Sequence, residues 1–299
     1  MYDIIVIGGG PAGLTAAVYA RRSNKSVLVV EKDVFGGQIT FSPKVENIPG
    51  FSCVTGNEFA EKLVTQAADQ GVEFEYGEAK KIENGKIKTV VTEDGRFEAK
   101  AVIIATGAKH RRLGLEKEEN FVGDGISFCA VCDGAFFRGK KVALIGGGNS
   151  ALQEALLLSE LVEKVYIIQN LDFLTGEAKL SAQVQEKDNI EITLGATVKE
   201  ILGDDTFEGI VVNTAKGDIE LKVDGMFVAI GLVPQNEPFA DVITLDDYGY
   251  ADYGETCITQ NEGVFVAGDC RKKNVRQVTT AASDGAVAAI AACRYIDSL

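Results

Sequence analysis

A short apolar strand, a glycine-rich turn and a helix follow one another near the start of the chain, and this succession constrains the fold more than any other feature. The strand runs from Ile4 to Ile7, the turn Gly-x-Gly-x-x-Gly from Gly8 to Gly13, and the helix from Pro11 to about Arg22. A second strand, Val27 to Val30, ends at Glu31. This order predicts a βαβ unit that binds a dinucleotide.

The positions in this turn have separate physical roles. Gly8 permits the tight turn, Gly10 lets a pyrophosphate approach the backbone, and Gly13 lets helix and strand pack closely. The free N–H groups and partial positive charge at the start of the helix favour phosphate. Glu31 can accept hydrogen bonds from ribose hydroxyls.

The same pattern recurs in the middle of the chain. A strand from Val142 to Ile145 precedes the turn Gly146 to Ala151, a helix from Asn149 to about Leu161, and a strand from Val165 to Ile168. Alanine is an accepted variant of the third glycine. The sequence therefore predicts an α/β fold with two dinucleotide-binding, Rossmann-like domains, which suits a chain of 299 residues.

The second repeat lacks the residues that normally read the ribose of a nicotinamide cofactor. The spacing from Gly13 to Glu31, transferred to the second repeat, ends at Gln169, which is followed by Asn170 and Leu171. An acid at this position selects NAD, and arginines select NADP. Neither is present, so the pattern leaves the ligand of the second domain open.

Cys129 and Cys132 have the spacing C-x-x-C near the start of the second repeat. A zinc site needs two further ligands, and the single histidine, His110, is distant in sequence, so no metal is expected. A purely structural disulfide is not expected in a reducing compartment. The pair is therefore interpreted as redox-active, and Asp133 is placed to transfer the proton that a departing thiolate needs.

Other features narrow the class of protein. The net charge of −14, from 44 acids and 30 bases, argues against a nucleic-acid partner. The N-terminus lacks a signal-peptide pattern and no apolar run is long enough for a membrane span, which predicts a cytoplasmic chain with no membrane partner. The other four cysteines, Cys53, Cys257, Cys270 and Cys293, are expected to be small buried residues.

Between the two repeats the sequence predicts a helix, several strands and a crossing segment. The helix lies within residues 56–71, where apolar positions have helical spacing. Residues 86–107 predict a strand, a turn at 93–95, a second strand, and a further buried strand ending at Thr106-Gly107. The polar stretch 108–125, which contains His110, is expected to be a solvated crossing between domains.

With these motifs in place, the chain resembles bacterial low-molecular-weight thioredoxin reductases, which contain FAD, nearly from end to end. The segments that carry the resemblance are Gly8 to Gly13, GGQ at 36–38, ENIPGF at 46–51, ATG at 105–107, FCAVCDG at 128–134, GGGNSA at 146–151, AIGLVPQN at 229–236, GVFVAGDC at 263–270 and RQVTTAASDG at 276–285.

The resemblance implies that the second domain is inserted into the first. The FAD-binding domain would comprise residues 1–113 and 238–299, and residues 114–237 would form the nucleotide-binding-like domain with the disulfide. The resemblance places the FAD ribityl chain against Asp269 and the flavin ring against Gln277-Val278. The residues expected to bind FAD are Gly8, Gly10, Pro11, Ala12, Gly13, Glu31, Gly37, Gln38, Asn47, Ala105, Thr106, Gly107, Gly268, Asp269, Arg276, Gln277 and Val278.

The resemblance also implies a mechanism. Electrons would pass from flavin to the Cys129–Cys132 disulfide and on to thioredoxin, with Cys132 facing the flavin and Cys129 attacking the disulfide of the partner. Asp133 would be the acid, and rotation of the small domain would expose the disulfide alternately to flavin and to solvent. A homodimer is expected on the same ground.

The chain departs from the family at the residues that bind the 2′-phosphate of NADPH. The family's His-Arg-Arg triplet and following arginine correspond to Gln169, Asn170, Leu171 and Thr175. A charge-assisted hydrogen bond contributes roughly 1.5–3 kcal/mol, so losing two or three lowers affinity by roughly 10²–10⁴. The departure resembles family members that take electrons from reduced ferredoxin, with NADH or weakly bound NADPH as the other donors.

Docking of an acidic ferredoxin would need a basic patch on this acidic chain. The candidates are Arg271, Lys272, Lys273 and Arg276. Three functional classes remain open at this point. They are a thioredoxin-type disulfide reductase, a dithiol oxidase that passes electrons through FAD to oxygen, and an FAD-binding interaction module without activity. The intact CAVCDG segment argues against the last.

Overall fold

The computed structural model describes residues 1–42 and 45–299. The strands are β1 (Tyr2–Ile7), β2 (Val27–Glu31), β3 (Glu73–Tyr76), β4 (Ala79–Asn84), β5 (Lys88–Thr92), β6 (Arg96–Ile104), β7 (Ala108–His110), β8 (Ile126–Ser127), β9 (Lys141–Ile145), β10 (Lys164–Ile168), β11 (Ile190–Thr193), β12 (Thr197–Leu202), β13 (Gly209–Thr214), β14 (Gly217–Leu221), β15 (Gly225–Val228), β16 (Leu232–Pro234) and β17 (Val264–Val266). The α-helices are α1 (Pro11–Arg22), α2 (Gly56–Asp69), α3 (Ala130–Asp133), α4 (Asn149–Ser159), α5 (Ala178–Gln185) and α6 (Val278–Asp297).

The chain divides into two compact units. One, here called the discontinuous unit, comprises Met1–Lys109 and Val233–Leu299, and the inserted unit comprises His110–Leu232. The chain changes unit within β7 and β16, which form a two-stranded sheet. These crossings lie a few residues before the boundaries at 113 and 237 that the resemblance implies, and the polar stretch after β7 belongs to the inserted unit.

The discontinuous unit is built on a seven-stranded sheet in the order β3-β2-β1-β6-β5-β4, in which β17 also pairs with β6. Two strands pair with the same edge of β6. Its first half pairs antiparallel with β5, and Val102–Ile104 pairs parallel with β17. The sequence-based division of residues 96–104 into two strands is therefore wrong. One continuous strand satisfies both sets of backbone hydrogen bonds.

Helices α1 and α6 pack closely on this sheet because small residues line their contact. A Cβ atom added at Gly285 would lie 2.1 Å from the Ala12 carbonyl oxygen, so only glycine permits this approach. Gln277 and Thr280 form a reciprocal capping box at the start of α6. The buried residues shared by this contact are Ala16, Ala17, Ala20, Ala288, Ala289 and Ala292.

The inserted unit contains a five-stranded parallel sheet in the order β11-β10-β9-β15-β8. A separate antiparallel sheet is formed by β12, β13 and β14. Helix α4 buries Ala151, Leu152, Ala155 and Leu158 against the parallel sheet and ends at Ser159, two residues before the predicted end. Both units thus place a glycine turn at the carboxyl ends of parallel strands, where ligands bind in such sheets.

Two features are absent from the part of the chain that the structure describes. No helix there combines the length and apolar composition needed to cross a bilayer. No group of three or more His, Cys, Asp or Glu side chains is arranged there to hold a metal ion.

Candidate functional site

The first glycine turn has a geometry that side chains would obstruct. The Gly8 N–H donates to the Val30 carbonyl oxygen at 2.8 Å, and Gly8 has a φ of +108°. A Cβ atom there would lie 2.3 Å from the Ala105 carbonyl oxygen, and one at Gly13 would lie 1.9 Å from the Gly8 carbonyl oxygen. The turn is therefore held against the ends of β2 and β6, and its conformation requires glycine.

Glu31 lies at this turn, as expected for a residue that reads ribose. One carboxylate oxygen accepts the Gly9 N–H at 2.6 Å, and the other accepts the Asp33 N–H at 2.8 Å. These two bonds fix the carboxylate at the end of β2. No side chain in the described ranges caps the first turn of α1, so its N–H groups suit an anionic ligand.

The GGQ segment closes one side of the same turn. The Gly36 N–H donates to the Gly9 carbonyl oxygen at 2.8 Å. A Cβ atom at Gly37 would lie 3.0 Å from the Gly10 Cα atom, so the two backbones are close. Gln38 follows in the 3₁₀ helix Gly37–Phe41. The structure therefore brings this predicted segment to the first turn.

The ATG segment lies on the other side of the turn. The Ala105 N–H donates to the Ile7 carbonyl oxygen at 2.7 Å, and the Thr106 hydroxyl donates to Asn236 Oδ1 at 3.2 Å. Gly107, at the end of the segment, has a φ of +68°. Sequence reasoning did not assign a site role to Asn236, although it ends the AIGLVPQN segment.

Asn236 connects three parts of this region. It is fully buried, and its amide donates to the carbonyl oxygens of Gly249 at 2.9 Å and Cys270 at 2.8 Å. The side chain thereby fixes Thr106 relative to the segment that carries Asp269. A buried amide with all of these partners acts as a positioning group.

Gly268 and Asp269 follow β17 and lie against α1. Gly268 has a φ of +80°, and a Cβ atom there would lie 2.7 Å from the Ala12 Cβ atom. The Asp269 Oδ1 atom is buried without a hydrogen-bond partner among the described residues. Burial raises the pKa of the Asp269 carboxyl, and Lys273 and Arg276 oppose this rise. A buried oxygen without a partner, beside a glycine-lined turn, fits a ligand with hydroxyl and phosphate groups, as FAD has.

The segment before α6 completes this region. The Arg276 guanidinium stacks on the Tyr250 ring at 4.2 Å and donates to the Asp269 carbonyl oxygen at 3.4 Å. Gln277 is the N-cap of α6 and Val278 its first residue. Asn47 donates from Nδ2 to Gln277 Oε1 at 3.1 Å, which joins two of the expected FAD residues.

The suggested basic patch at 271–276 does not exist as a surface. Arg271 is 1% exposed, and the Lys273 side chain is 8% exposed with Asp284 as its partner. Lys272 is exposed but pairs with Asp252 at 3.1 Å. The expectation was wrong because two of these cations neutralise a buried acid instead of facing solvent.

Cys129 and Cys132 form a disulfide in the inserted unit, with Cα atoms 5.3 Å apart. The pair brackets the start of the single-turn helix α3, for which Cys129 is the N-cap. The Ser127 hydroxyl donates to Asp133 Oδ2 at 2.6 Å, and Asp133 Oδ1 is buried without a partner among the described residues. Burial raises the Asp133 pKa while Ser127 opposes the rise, so this carboxyl is suited to hold a proton beside the disulfide.

Glu154 is a second half-buried carboxyl near the disulfide that the sequence did not reveal. It projects from α4, and its Oε2 atom is buried without a partner in the described parts of the chain. Burial raises its pKa to about 7, and interaction with the backbone N–H of Ala130, between the two cysteines, partly opposes that rise. A glutamate in an ordinary amphipathic helix gives no signal for this environment.

His110 is not a solvated linker residue, as the sequence had suggested. Its ring lies 5.1 Å from the Phe128 ring, and the Arg112 guanidinium lies 4.3 Å from the same ring. Burial and, secondarily, Arg112 lower the His110 pKa to about 4. The aromatic residue just before Cys129 therefore packs this segment into the inserted unit.

The remaining cysteines divide into two groups. Cys257, Cys270 and Cys293 are buried, as the sequence predicts, whereas Cys53 is exposed. The expectation for Cys53 was wrong because its neighbour Val54, not Cys53, faces the small apolar cluster there.

The second glycine turn repeats the geometry of the first. The Gly146 N–H donates to the Ile168 carbonyl oxygen at 3.0 Å, and a Cβ atom at Gly146 would lie 2.5 Å from the Ala229 carbonyl oxygen. The Thr175 and Gly176 N–H groups both donate to the Gly147 carbonyl oxygen at 2.9 Å. The loop after β10 thus folds back against the turn.

The residues at the expected phosphate-reading positions are neutral. Gln169 is buried, covers Gly147, and donates from Nε2 to the Phe173 carbonyl oxygen at 3.3 Å. Leu171 and Phe173 are 41% and 56% exposed. Residues 169–177 contain two acids and no basic residue, so this loop offers no cation to a 2′-phosphate.

Comparison with known proteins agrees with this architecture. Residues 2–285 match the family model described as pyridine nucleotide-disulphide oxidoreductase. A thioredoxin reductase of Bacillus subtilis is 40% identical over 100% of this chain and 96% of its own length. A Clostridium pasteurianum protein described as a 34.2 kDa protein in the rubredoxin operon is 41% identical over 98% of this chain and 97% of its own.

Solved structures give the same result. The crystal structure of thioredoxin reductase from Streptococcus pyogenes has a TM-score of 0.95 and 39% identity, and the match covers 100% of this chain and 99% of that one. The turns, the disulfide and the two Rossmann-like units described above are thus found in a chain with full-length similarity to flavoprotein oxidoreductases. The chain belongs to the pyridine nucleotide-disulphide oxidoreductase family.

Proposed function

We propose that this protein is a flavin-dependent protein-disulfide reductase that passes electrons through FAD to the Cys129–Cys132 disulfide and on to thioredoxin. The observation that carries the proposal is the disulfide itself, which lies beside the half-buried carboxyl of Asp133, whose Oδ1 atom is buried and has no hydrogen-bond partner among the described residues. The thioredoxin reductases among its relatives support thioredoxin as the partner.

The discontinuous unit would hold FAD, which supplies two-electron transfer when bound. The first glycine turn and the start of α1 would bind the pyrophosphate, Glu31 the adenosine ribose, and Asp269 the ribityl hydroxyls. Arg276, Gln277 and Val278 would line the flavin ring. The unpartnered Asp269 Oδ1 atom supports this assignment, because a buried acceptor without a partner is costly unless a ligand satisfies it.

The inserted unit would carry out thiol–disulfide exchange. We assign Cys132 to the flavin side and Cys129 to attack on the disulfide of thioredoxin, which forms a mixed disulfide before Cys132 resolves it. Asp133 would protonate the departing thiolate. Its position beside Ser127 supports this role, as does burial, which raises the pKa of the Asp133 carboxyl.

Reduced ferredoxin is the donor we propose, with NADH as the second choice. Ferredoxin would dock on a surface other than Arg271 to Lys273, because these cations are buried or paired with acids. Binding of NADPH would require cations near its 2′-phosphate, and residues 169–177 supply two acids and no base. Gln169, at the first of the positions expected to bind the 2′-phosphate, donates a hydrogen bond to the Phe173 carbonyl oxygen in its own loop. The donor would therefore reach the flavin without binding tightly at the second glycine turn.

Anaerobic stopped flow tests the choice of donor. The bleaching of the flavin absorbance is followed after mixing with NADPH, NADH or reduced ferredoxin. We expect fast bleaching with reduced ferredoxin and slow bleaching with NADPH except at high concentration. Fast bleaching at micromolar NADPH would contradict the proposal and would require 2′-phosphate ligands outside residues 169–177.

A dithiol oxidase is the alternative function that uses the same residues. It would run electrons from a small dithiol through the disulfide and FAD to oxygen, and it needs no nicotinamide, which suits a loop after β10 that has no basic residue. Rapid oxygen consumption with a small dithiol, together with slow reduction of thioredoxin, would favour it. We further infer a cytoplasmic homodimer from the resemblance to the family.

A further inference from the structure

A network of four charges, three of them buried, lies under the proposed FAD site. Asp284 accepts hydrogen bonds from the Gly268 N–H, the Arg271 guanidinium and Lys273 Nζ, each at 3.0 Å. Asp284 is 5% exposed and the Lys273 side chain 8% exposed. Asp269 is the fourth member, so two acids and two bases balance.

Lys273 is the one member that lies between both acids. Its Nζ atom is 3.0 Å from Asp284 Oδ2 and 3.9 Å from Asp269 Oδ1. The longer distance is not a hydrogen bond, which leaves Asp269 Oδ1 free to accept one from a ligand. Asp284 holds Lys273 in this place from α6, while Lys273 itself lies four residues after Asp269 in the chain.

The charged groups near Asp269 differ in their effect on its ionisation. Lys273 and Arg276 favour its ionised form, and Asp284 opposes it. Arg276 directs its hydrogen bonds to the backbone carbonyl oxygens of Asp269 and Arg271. The neighbouring Cys270 thiol is buried, and burial raises its pKa, so it adds no charge near neutral pH. Lys273 is therefore the side chain with both the position and the charge to offset the burial of Asp269.

We propose that Lys273, held in place by Asp284, keeps Asp269 ionised and thereby sets the pH range over which the protein retains FAD. An ionised carboxylate accepts hydrogen bonds from two ribityl hydroxyls, whereas the protonated form loses part of that capacity. Retention of FAD is then lost as pH falls through the Asp269 pKa. This inference rests on the proposed FAD site.

The test measures FAD release from the holoprotein after serial dilution between pH 5 and 9, using the fluorescence of free FAD. An opposite charge within about 4–6 Å lowers a carboxyl pKa by roughly 1–3 units. Lys273→Met should therefore raise the pH midpoint of FAD loss by roughly one unit or more and weaken binding at least tenfold near neutral pH. Lys273→Arg, which keeps the charge, should remain close to the wild type.

Lys272→Met is the matched control because the adjacent lysine is exposed and pairs with Asp252 on the surface. It should leave the pH midpoint unchanged. Asp269→Asn should weaken FAD binding and abolish the pH dependence, and adding Lys273→Met to it should cause little further loss. If Lys273→Met does not fold, Lys273→Gln replaces it in the measurement of the pH midpoint. The comparison of wild type with Asp269→Asn still shows whether Asp269 causes the pH dependence.

Two results would overturn the inference. One is an unchanged midpoint in Lys273→Met or Lys273→Gln, or equal weakening at every pH, which would mean that Lys273 only supports the fold. The other is an Asp269→Asn variant that keeps the pH dependence of the wild type. Wild-type protein that binds no FAD at any pH would instead refute the proposed function, so the two failures are distinguishable.

Discussion

Arg271 and Asp284 form two parallel hydrogen bonds in the interior of the discontinuous unit. The Arg271 Nε atom donates to Asp284 Oδ2 and Nη2 donates to Oδ1, both at 3.0 Å. The remaining Nη1 atom donates to the carbonyl oxygens of Tyr253 and Gly254 at 2.9 Å. Arg271 is 1% exposed, so its charge depends on Asp284 for compensation.

Asp284→Asn should therefore destabilise the protein strongly. Removing one partner of a buried ion pair leaves an uncompensated charge and costs about 3–5 kcal/mol. Denaturant unfolding of the holoprotein measures the loss. Asp252→Asn, which breaks the exposed pair with Lys272, should cost no more than about 1 kcal/mol. Equal small effects of both variants would show that the buried pair contributes little.

The redox role of the disulfide predicts how many electrons each chain can accept. The purified protein should be yellow and should take up more than two electrons per chain in an anaerobic titration, since FAD and the disulfide would each accept two. Cys132→Ser should take up only the flavin pair and lose disulfide reductase activity. Cys53→Ser is the control, because Cys53 is exposed and unpaired. An unchanged count in Cys132→Ser contradicts the assignment.

Glu154 should make the protein less stable as pH rises. Its folded pKa of about 7 lies above its ordinary value of 4.5, so its contribution is fully present below about pH 4.5 and is lost as pH rises through about 7. Between pH 4.5 and pH 8 the wild type should lose up to about 3 kcal/mol of unfolding free energy from this group, and Glu154→Gln should remove that loss. Thermal unfolding at a series of pH values measures it. Gln153→Glu, which adds an exposed acid beside Glu154 on α4 and leaves Glu154 in place, should keep the pH dependence of the wild type.

His110 should produce the opposite dependence. Its folded pKa of about 4 lies below the ordinary 6.5, so its contribution is present above about pH 6.5 and is lost as pH falls through about 4. His110→Phe keeps an aromatic ring against Phe128 and removes the titrating group. The variant should lose less stability than the wild type between pH 6.5 and pH 4, by up to about 3 kcal/mol. Parallel unfolding curves for the two proteins would contradict the burial of a neutral histidine.

The sequence predicts the glycine turns well because their requirements are local. Gly8 and Gly146 both need positive φ and close backbone contacts, and these needs appear as fixed spacing in the sequence. The start and end of α1 were confirmed at Pro11 and Arg22 for the same reason. The α/β fold with two Rossmann-like units follows from two such motifs.

The errors arose where distant residues determine the environment. The basic string at Arg271 to Lys273 looks like an exposed patch until Asp284, from α6, is placed beside it. His110 looks like a linker residue until Phe128 packs on it. Glu154 gives no sequence signal, since the charge of a helical residue does not reveal what covers it. Burial by residues remote in the chain is the information that a sequence pattern lacks.

Because the loop after β10 has no basic residue, we predict that NADPH use can be added by introducing cations there. Leu171 is 41% exposed, at a position where the resemblance to the family implies an arginine, and Asn170 beside it is also exposed. Asn170→Arg together with Leu171→Arg should strengthen NADPH binding, since each charge-assisted hydrogen bond contributes roughly 1.5–3 kcal/mol, or about tenfold or more in affinity. Stopped-flow bleaching with NADPH and NADH in parallel measures the effect.

The ratio of the bleaching rates with NADPH and NADH isolates the contribution of the 2′-phosphate, because NADH lacks only that group. The double variant should improve NADPH at least tenfold more than NADH, and raised ionic strength should reduce the gain. Ile219→Arg adds a cation to an exposed position of β14 in the same unit and should leave the ratio unchanged. An equal improvement with NADPH and NADH would show that the added charges do not act at the 2′-phosphate. No improvement with either would show that the loop, in which the Thr175 and Gly176 N–H groups donate to the Gly147 carbonyl oxygen, excludes the dinucleotide itself.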